Sequence, residues 1–210
     1  MRIRLDPKNP EGAVYEYSYG TGVLVGADGT IVTANHVVRD HQRATGRETV
    51  GILTRGSRHY LPVDIVAQDA DSDIALLRAS PRLLGHKSFF ALGPPRLPKP
   101  GERSYVVGLR AAAAAESFEI GIIGGSFVDA TKRLTELAGG RRPGIGPWIT
   151  VSQITLQGYS GGAVLDAPGN LVGIVVGAPE WKGEWSEFSY GVGIEALLRL
   201  RAMKTDRAER

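Results

Sequence analysis

The chain has 210 residues, 42% of them hydrophobic and 22% charged, a balance that supports a sizeable buried core and excludes a disordered chain. It contains no cysteine, which excludes a disulfide framework, a thiol nucleophile and any cysteine-ligated zinc or iron–sulfur centre. The formal net charge of +3 lies on scattered arginines without an aromatic-interleaved basic stripe, the pattern of a solvated basic surface with no nucleic-acid partner.

In chain order, Met1 to Lys8 runs into charge and proline where a secretory signal needs an apolar core of about seven or more residues. No later stretch approaches the roughly 20 apolar residues of a membrane span. The expectation is a cytoplasmic protein without membrane contact. Val14-Tyr15-Glu16-Tyr17-Ser18-Tyr19 puts three tyrosines on one face of a strand, suiting either a homo-oligomer contact or an edge strand. Short β-branched and apolar runs then recur at Gly22–Val25, Thr30–Thr33, Leu61–Val66, Ser104–Val107, Phe118–Ile123, Trp148–Gln153, Gly162–Leu165 and Leu171–Val176. Turn signals stand at Ala27-Asp28-Gly29 and Ala167-Pro168-Gly169-Asn170. Closely spaced strands without intervening helices predict an all-β fold. Leu92 to Gly101, with four prolines, divides the strands into two groups and reads as a linker. Ala111–Ala115 and Thr131–Gly146 read as surface loops, the second with a short helix over Lys132–Leu137, and Ile194–Met203 reads as a closing helix.

Gly158-Tyr159-Ser160-Gly161-Gly162 is the sharpest local signal, because flanking glycines let the backbone turn tightly and expose a serine hydroxyl. Alone it fits a nucleophile elbow of the α/β-hydrolase type or a glycine-rich turn without chemistry. The elbow needs its histidine after the serine, and His36, His41, His59 and His86 all precede Ser160. That leaves the order histidine, aspartate, serine. His36 lies within Ile31–Val38, at the end of an apolar strand, whereas His41, His59 and His86 have charged or basic neighbours. Asp73 stands directly before the apolar run Ile74–Leu77, where a desolvated carboxylate needs a partner such as a histidine N–H. Gly20-x-Gly22 also suggests a nucleotide loop, but strand-like sequence follows where a phosphate-binding helix would begin.

The blocks Gly20-Thr21-Gly22, Ile31–Val38, Ser72–Leu77 and Gly158–Val164, in this order and at these spacings, resemble those of the HtrA-like trypsin-type serine peptidases of the chymotrypsin fold. Val106-Val107-Gly108, Gly121-Ile122-Ile123, Gly169–Ile174 and Gly191-Val192-Gly193 extend the likeness. The resemblance implies one peptidase domain of two six-stranded antiparallel β-barrels, the first over about 14–92, a linker over 93–101, the second over 102–193 and a helix over 194–204. It implies a serine endopeptidase in which Ser160 attacks the scissile carbonyl, His36 moves the proton and Asp73 orients the imidazole. The Gly158 and Ser160 N–H groups form the oxyanion hole. No metal or organic cofactor is implied, and the partners are a protein or peptide substrate and, for control, an activating protein or a homo-oligomer. The alternative is a protease-fold protein that binds peptides without hydrolysing them.

Tyr159 departs from the pattern, since digestive proteases carry aspartate there and HtrA-like proteins usually asparagine. A freed N-terminal ammonium cannot pair with it, so control by ordering of the loops Ala111–Ser117 and Thr131–Gly146 is expected instead. No peptide-binding PDZ domain is expected between the barrels and Arg210. Pocket walls are assigned to Ile154, Thr155, Leu156 and Gln157, with Val175 and Gly191 from later strands. The absence of an acid among the first four leans toward small or medium apolar side chains at the cleavage site.

Overall fold

A computed structural model describes residues 2–5, 13–16, 19–39, 50–54, 59–85, 88–92, 95–111, 118–137, 146–181, 184–185 and 187–208. Two curled antiparallel sheets carry the chain. The first contains β3 (Val23–Leu24), β4 (Thr30–Ala34), β5 (Gly51–Ile52), β6 (Leu61–Asp69) and β7 (Ile74–Ala79) in the order β3-β4-β7-β6-β5. A hairpin of β1 (Arg2–Leu5) and β2 (Ala13–Glu16) precedes it and forms its own two-stranded sheet. The described part of the first sheet has five strands where six were expected, and Ala13–Glu16 pairs with β1 in a separate hairpin.

The second sheet has the expected six strands: β8 (Arg103–Ala111), β9 (Phe118–Ser126), β10 (Trp148–Val151), β11 (Ala163–Asp166), β12 (Leu171–Gly177) and β15 (Ser189–Gly193), ordered β10-β15-β12-β11-β8-β9. A bridge between Phe127 and Val151 draws its two ends together. The segments β13 (Glu180–Trp181) and β14 (Glu184–Trp185) make a small hairpin between β12 and β15. Four helices are short or terminal: α1 (Asn35–Val38), α2 (Pro81–Leu84), α3 (Thr131–Leu137) and α4 (Ile194–Ala208). Of the readings made from sequence, Ala112–Ser117 and residues 138–145 fall outside the described residues, as do His41 and His86.

Strand periodicity explains how two sheets share one core. Along β4 and β7, Ile31, Ala75, Leu77 and Ala79 face the interior of the first sheet with Val38 and Leu84. Their neighbours Val32, Ile74 and Leu76 face the other way and meet Ala163, Ile174, Val176, Val192 and the helical Leu197 and Leu200. Each strand is thus buried on both faces, which is why these segments read as continuous apolar runs and not as alternation. Ile74, Ile174 and Leu197 are almost wholly buried, and each such side chain contributes about 1.5–3 kcal/mol of transfer free energy. The inner face of the second sheet closes on Val106, Phe127, Ile149, Val151, Val164, Val172, Val175 and Tyr159. The linker is fastened to the second sheet through Arg96, which pairs with Glu102 and reaches the buried Asp166 at 3.4 Å.

Candidate active site

The register of β4 against β7 sets Ala34 opposite Ile74, so the residues just beyond each strand meet at one end of the first sheet. There the Asn35 N–H donates to the Asp73 carbonyl at 2.9 Å, and the chain turns into α1. The Asp73 carboxylate receives two bonds from the next residue. Its Oδ1 accepts from the His36 backbone N–H at 2.8 Å, and its Oδ2 lies 2.6 Å from His36 Nδ1. This geometry requires Asp73 to adopt φ 50°, making it the one non-glycine residue with positive φ among those described. Aspartate tolerates that region better than most residues. Asn35, which is buried, is in turn held by Gln68 Nε2 at 2.9 Å.

Ser160 comes from the second sheet, in a loop entered from β10 and leading into β11. Gly158 and Gly161 take φ 99° and 85°, conformations that glycine alone reaches without strain. Internal turns join Tyr159 N–H to the Leu156 carbonyl and Gly162 N–H to the Tyr159 carbonyl, and Gly161 N–H donates to Val175 in β12. The Ser160 hydroxyl donates to the Val176 carbonyl at 3.0 Å. A hydroxyl has one proton, so in this arrangement that proton is committed to β12. Among the described residues, the N–H groups of Gly158 and Ser160 carry no hydrogen bond.

Tyr159 is buried inside the second sheet. Gly108 and Gly121, neighbours across β8 and β9, make the space for its ring: a Cβ on Gly121 would lie 1.8 Å from the Tyr159 hydroxyl and one on Gly108 2.5 Å from Cδ1. The tyrosine is a core residue, not a solvent-facing substitute for an acid.

The residues assigned to the substrate pocket are dispersed. Thr155 is buried and tied to Ser189, its N–H donating to Ser189 Oγ at 2.8 Å and its own Oγ1 accepting from that hydroxyl at 3.0 Å. Ile154, Leu156 and Gln157 are exposed, and Gly191 is buried opposite Val175 in the β12–β15 register. Val175 points into the core of the second sheet with Tyr159 and Val106, because β12 alternates and it is Val176 that turns toward the first sheet. Among the described residues no group of three or more His, Asp or Glu side chains converges as a metal site would need. No described helix is long and apolar enough to cross a membrane.

Sequence reasoning missed two participants. Thr21, named only as part of the block Gly20-Thr21-Gly22, bonds to the nucleophile loop. Tyr190 packs edge-on against Trp148 with ring centroids 5.7 Å apart. Its phenol is pushed above the usual range, first by burial and then by the negative charge of Asp73. A raised native pKa means that the native state holds the proton longer than the unfolded chain does. The associated stability is present below the ordinary phenol pKa of about 10 and is lost as pH rises through the raised value. An ultraviolet difference titration is expected to show a late-ionising phenol that is lost in Tyr190→Phe.

Two antiparallel sheets that meet along buried strands, with a His–Asp pair from one and a glycine-flanked serine from the other, define a chymotrypsin-type fold. The family model of the trypsin-like peptidase domain matches residues 20–174, and the chain belongs to that family. A probable periplasmic serine endoprotease of the DegP-like kind from Ectopseudomonas mendocina is 25% identical over 195 residues, covering 92% of this chain and 37% of that protein. Among solved structures, the HtrA-type protease AlgW with a decapeptide superposes at a TM-score of 0.67 with 20% identity, over 89% of this chain and 51% of that one. The MamO protease domain from Magnetospirillum magneticum, in its apo form, superposes at 0.61 with 19% identity over 90% of both chains. The HtrA-like resemblance read from the motifs thus holds, while the chain spans little more than a third of its DegP-like relative.

Proposed function

We propose that the chain is a serine endopeptidase whose triad is His36, Asp73 and Ser160, with the Gly158 and Ser160 N–H groups as its oxyanion hole. The observation that carries the reading is the double grip of Asp73 on His36, through the backbone N–H and through Nδ1. That grip fixes the tautomer in which Nδ1 carries the proton and Nε2 is free to accept one. Ser160 then adds to the scissile carbonyl as His36 Nε2 takes its proton. The oxyanion forms against the two amides, and the imidazolium returns the proton to the leaving amine. Water repeats the sequence to release the acyl group. The substrate is a protein or peptide chain laid along the exposed end of the two sheets.

A second reading is favoured by one bond. The Ser160 hydroxyl donates to Val176, so the serine must rotate before His36 can activate it. A chain locked in that rotamer would bind peptides without cutting them, whereas a partner or loop that releases it would switch the enzyme on. Labelling with a fluorophosphonate probe, mapped by mass spectrometry, separates these readings. Modification at Ser160 is expected, abolished by Ser160→Ala and reduced to background by His36→Ala. A folded protein that stays unlabelled with every peptide tested would establish the non-hydrolytic reading, and labelling at another serine would overturn the triad.

A further inference from the structure

We propose that Thr21 is the positioning residue of the nucleophile loop, its hydroxyl fixing the peptide that lies between the two oxyanion-hole amides; this rests on the hydrolase reading above. Thr21 precedes β3 in the first sheet and is buried. All of its polar groups are engaged at 2.7 Å. Its N–H donates to the Ser160 carbonyl, its hydroxyl donates to the Gly158 carbonyl, the same hydroxyl accepts from the Leu109 N–H in β8, and its carbonyl accepts from the Thr33 hydroxyl in β4. One side chain thereby joins the nucleophile loop to β8 of the second sheet, while its backbone joins the strand that leads to His36.

The Gly158 carbonyl belongs to the peptide unit between the Gly158 N–H and the Ser160 N–H. Gly158 has φ 99° and no side chain to restrain it, so the plane of that peptide is set by its hydrogen bonds. The Tyr159 N–H is held at 3.1 Å by the Leu156 carbonyl, and the Gly158 carbonyl at 2.7 Å by the Thr21 hydroxyl, the one bond of the two that crosses from the first sheet. Without the hydroxyl, the Gly158 carbonyl and the Leu109 N–H both lose a partner in a buried place. The loop then turns to find new ones, carrying the Gly158 amide off the point it shares with Ser160. Because an oxyanion is bound in the transition state and not in the ground state, the damage falls on kcat.

Thr21→Val keeps the shape and removes the hydroxyl; Thr21→Ser keeps the hydroxyl and removes the methyl. Thr21→Val is expected to lower kcat and the fluorophosphonate labelling rate about 10- to 100-fold, below the roughly 100- to 1,000-fold of losing a donor outright, with KM changed less than about 2-fold. Thr21→Ser is expected to stay within about 3-fold of the parent protein. In amide correlation spectra, Gly158 and Ser160 are expected to shift in Thr21→Val and to keep their positions in Thr21→Ser. Thr21→Ala repeats the comparison if the valine variant does not fold. A Thr21→Val protein with parental kcat and unshifted Gly158 and Ser160 amides would overturn the proposal, as would a Thr21→Ser protein as impaired as Thr21→Val. Should the parent protein resist labelling altogether, the hydrolase reading falls, and the two amide shifts still decide whether Thr21 holds the loop.

Discussion

Asp73→Asn is expected to slow Ser160 labelling and peptide hydrolysis by about 10⁴-fold near neutral pH while leaving the thermal midpoint almost unchanged. The carboxylate accepts two hydrogen bonds from His36, one from the main chain and one from the ring. An amide has a single acceptor oxygen. The main-chain N–H is fixed by α1, so the oxygen stays there and the NH₂ faces Nδ1, which becomes an acceptor. The ring proton then moves to Nε2, where it blocks transfer from Ser160. Asparagine tolerates the left-handed φ of 50° as readily as aspartate, so the fold has no reason to loosen. Labelling kinetics beside a thermal melt check both halves of the expectation. A loss of tenfold or less would remove Asp73 from the triad.

Gly161→Ala is expected to cost the fold heavily. Gly161 has φ 85°, and a Cβ there would lie 2.1 Å from the Thr21 carbonyl oxygen and 2.9 Å from the Ala34 amide nitrogen. Both contacts are backbone, from segments of the first sheet, so relief requires the two sheets to part. The left-handed backbone alone costs about 1–2 kcal/mol, and forced overpacking adds about 1–3 kcal/mol. At about 2–4 °C per kcal/mol for a chain of this size, the midpoint is expected to fall on the order of 10 °C. Gly169→Ala supplies the control, because it shares the positive φ, at 92°, with open space around it. It should lose only the backbone share, and equal losses at the two glycines would contradict the account.

Much of the fold was legible because its strands announce themselves through burial. Thr30–Ala34, Leu171–Gly177 and the helix opening at Ile194 appear close to where apolar patterning puts them. β3 falls inside the apolar run Gly22–Val25, whereas the two-residue β5 is too short for periodicity to define it, and β1 and β2 lie on a hairpin outside the shared core. At the site, chain order excluded the elbow, and the apolar run Ile31–Val38 distinguished His36 from the other three histidines. No pattern in the sequence shows that Asp73 must sit at positive φ or that Thr21 reaches across to Gly158, 137 residues away. Such bonds join segments remote in sequence and leave no local signature. Which face of β12 Val175 takes is not legible either, since a one-residue offset on a strand sends a side chain to the opposite face.

The burial of Tyr159 in the space left open by Gly108 and Gly121 carries a consequence for how this domain diverges. The positions are linked in inheritance: a side chain gained at Gly121 must be matched by a smaller residue before the nucleophile, while Gly108 stays confined even then, because a Cβ there would lie 3.0 Å from the Tyr159 Cα. Across descendants of this chain, tyrosine at that site should travel with the paired glycines.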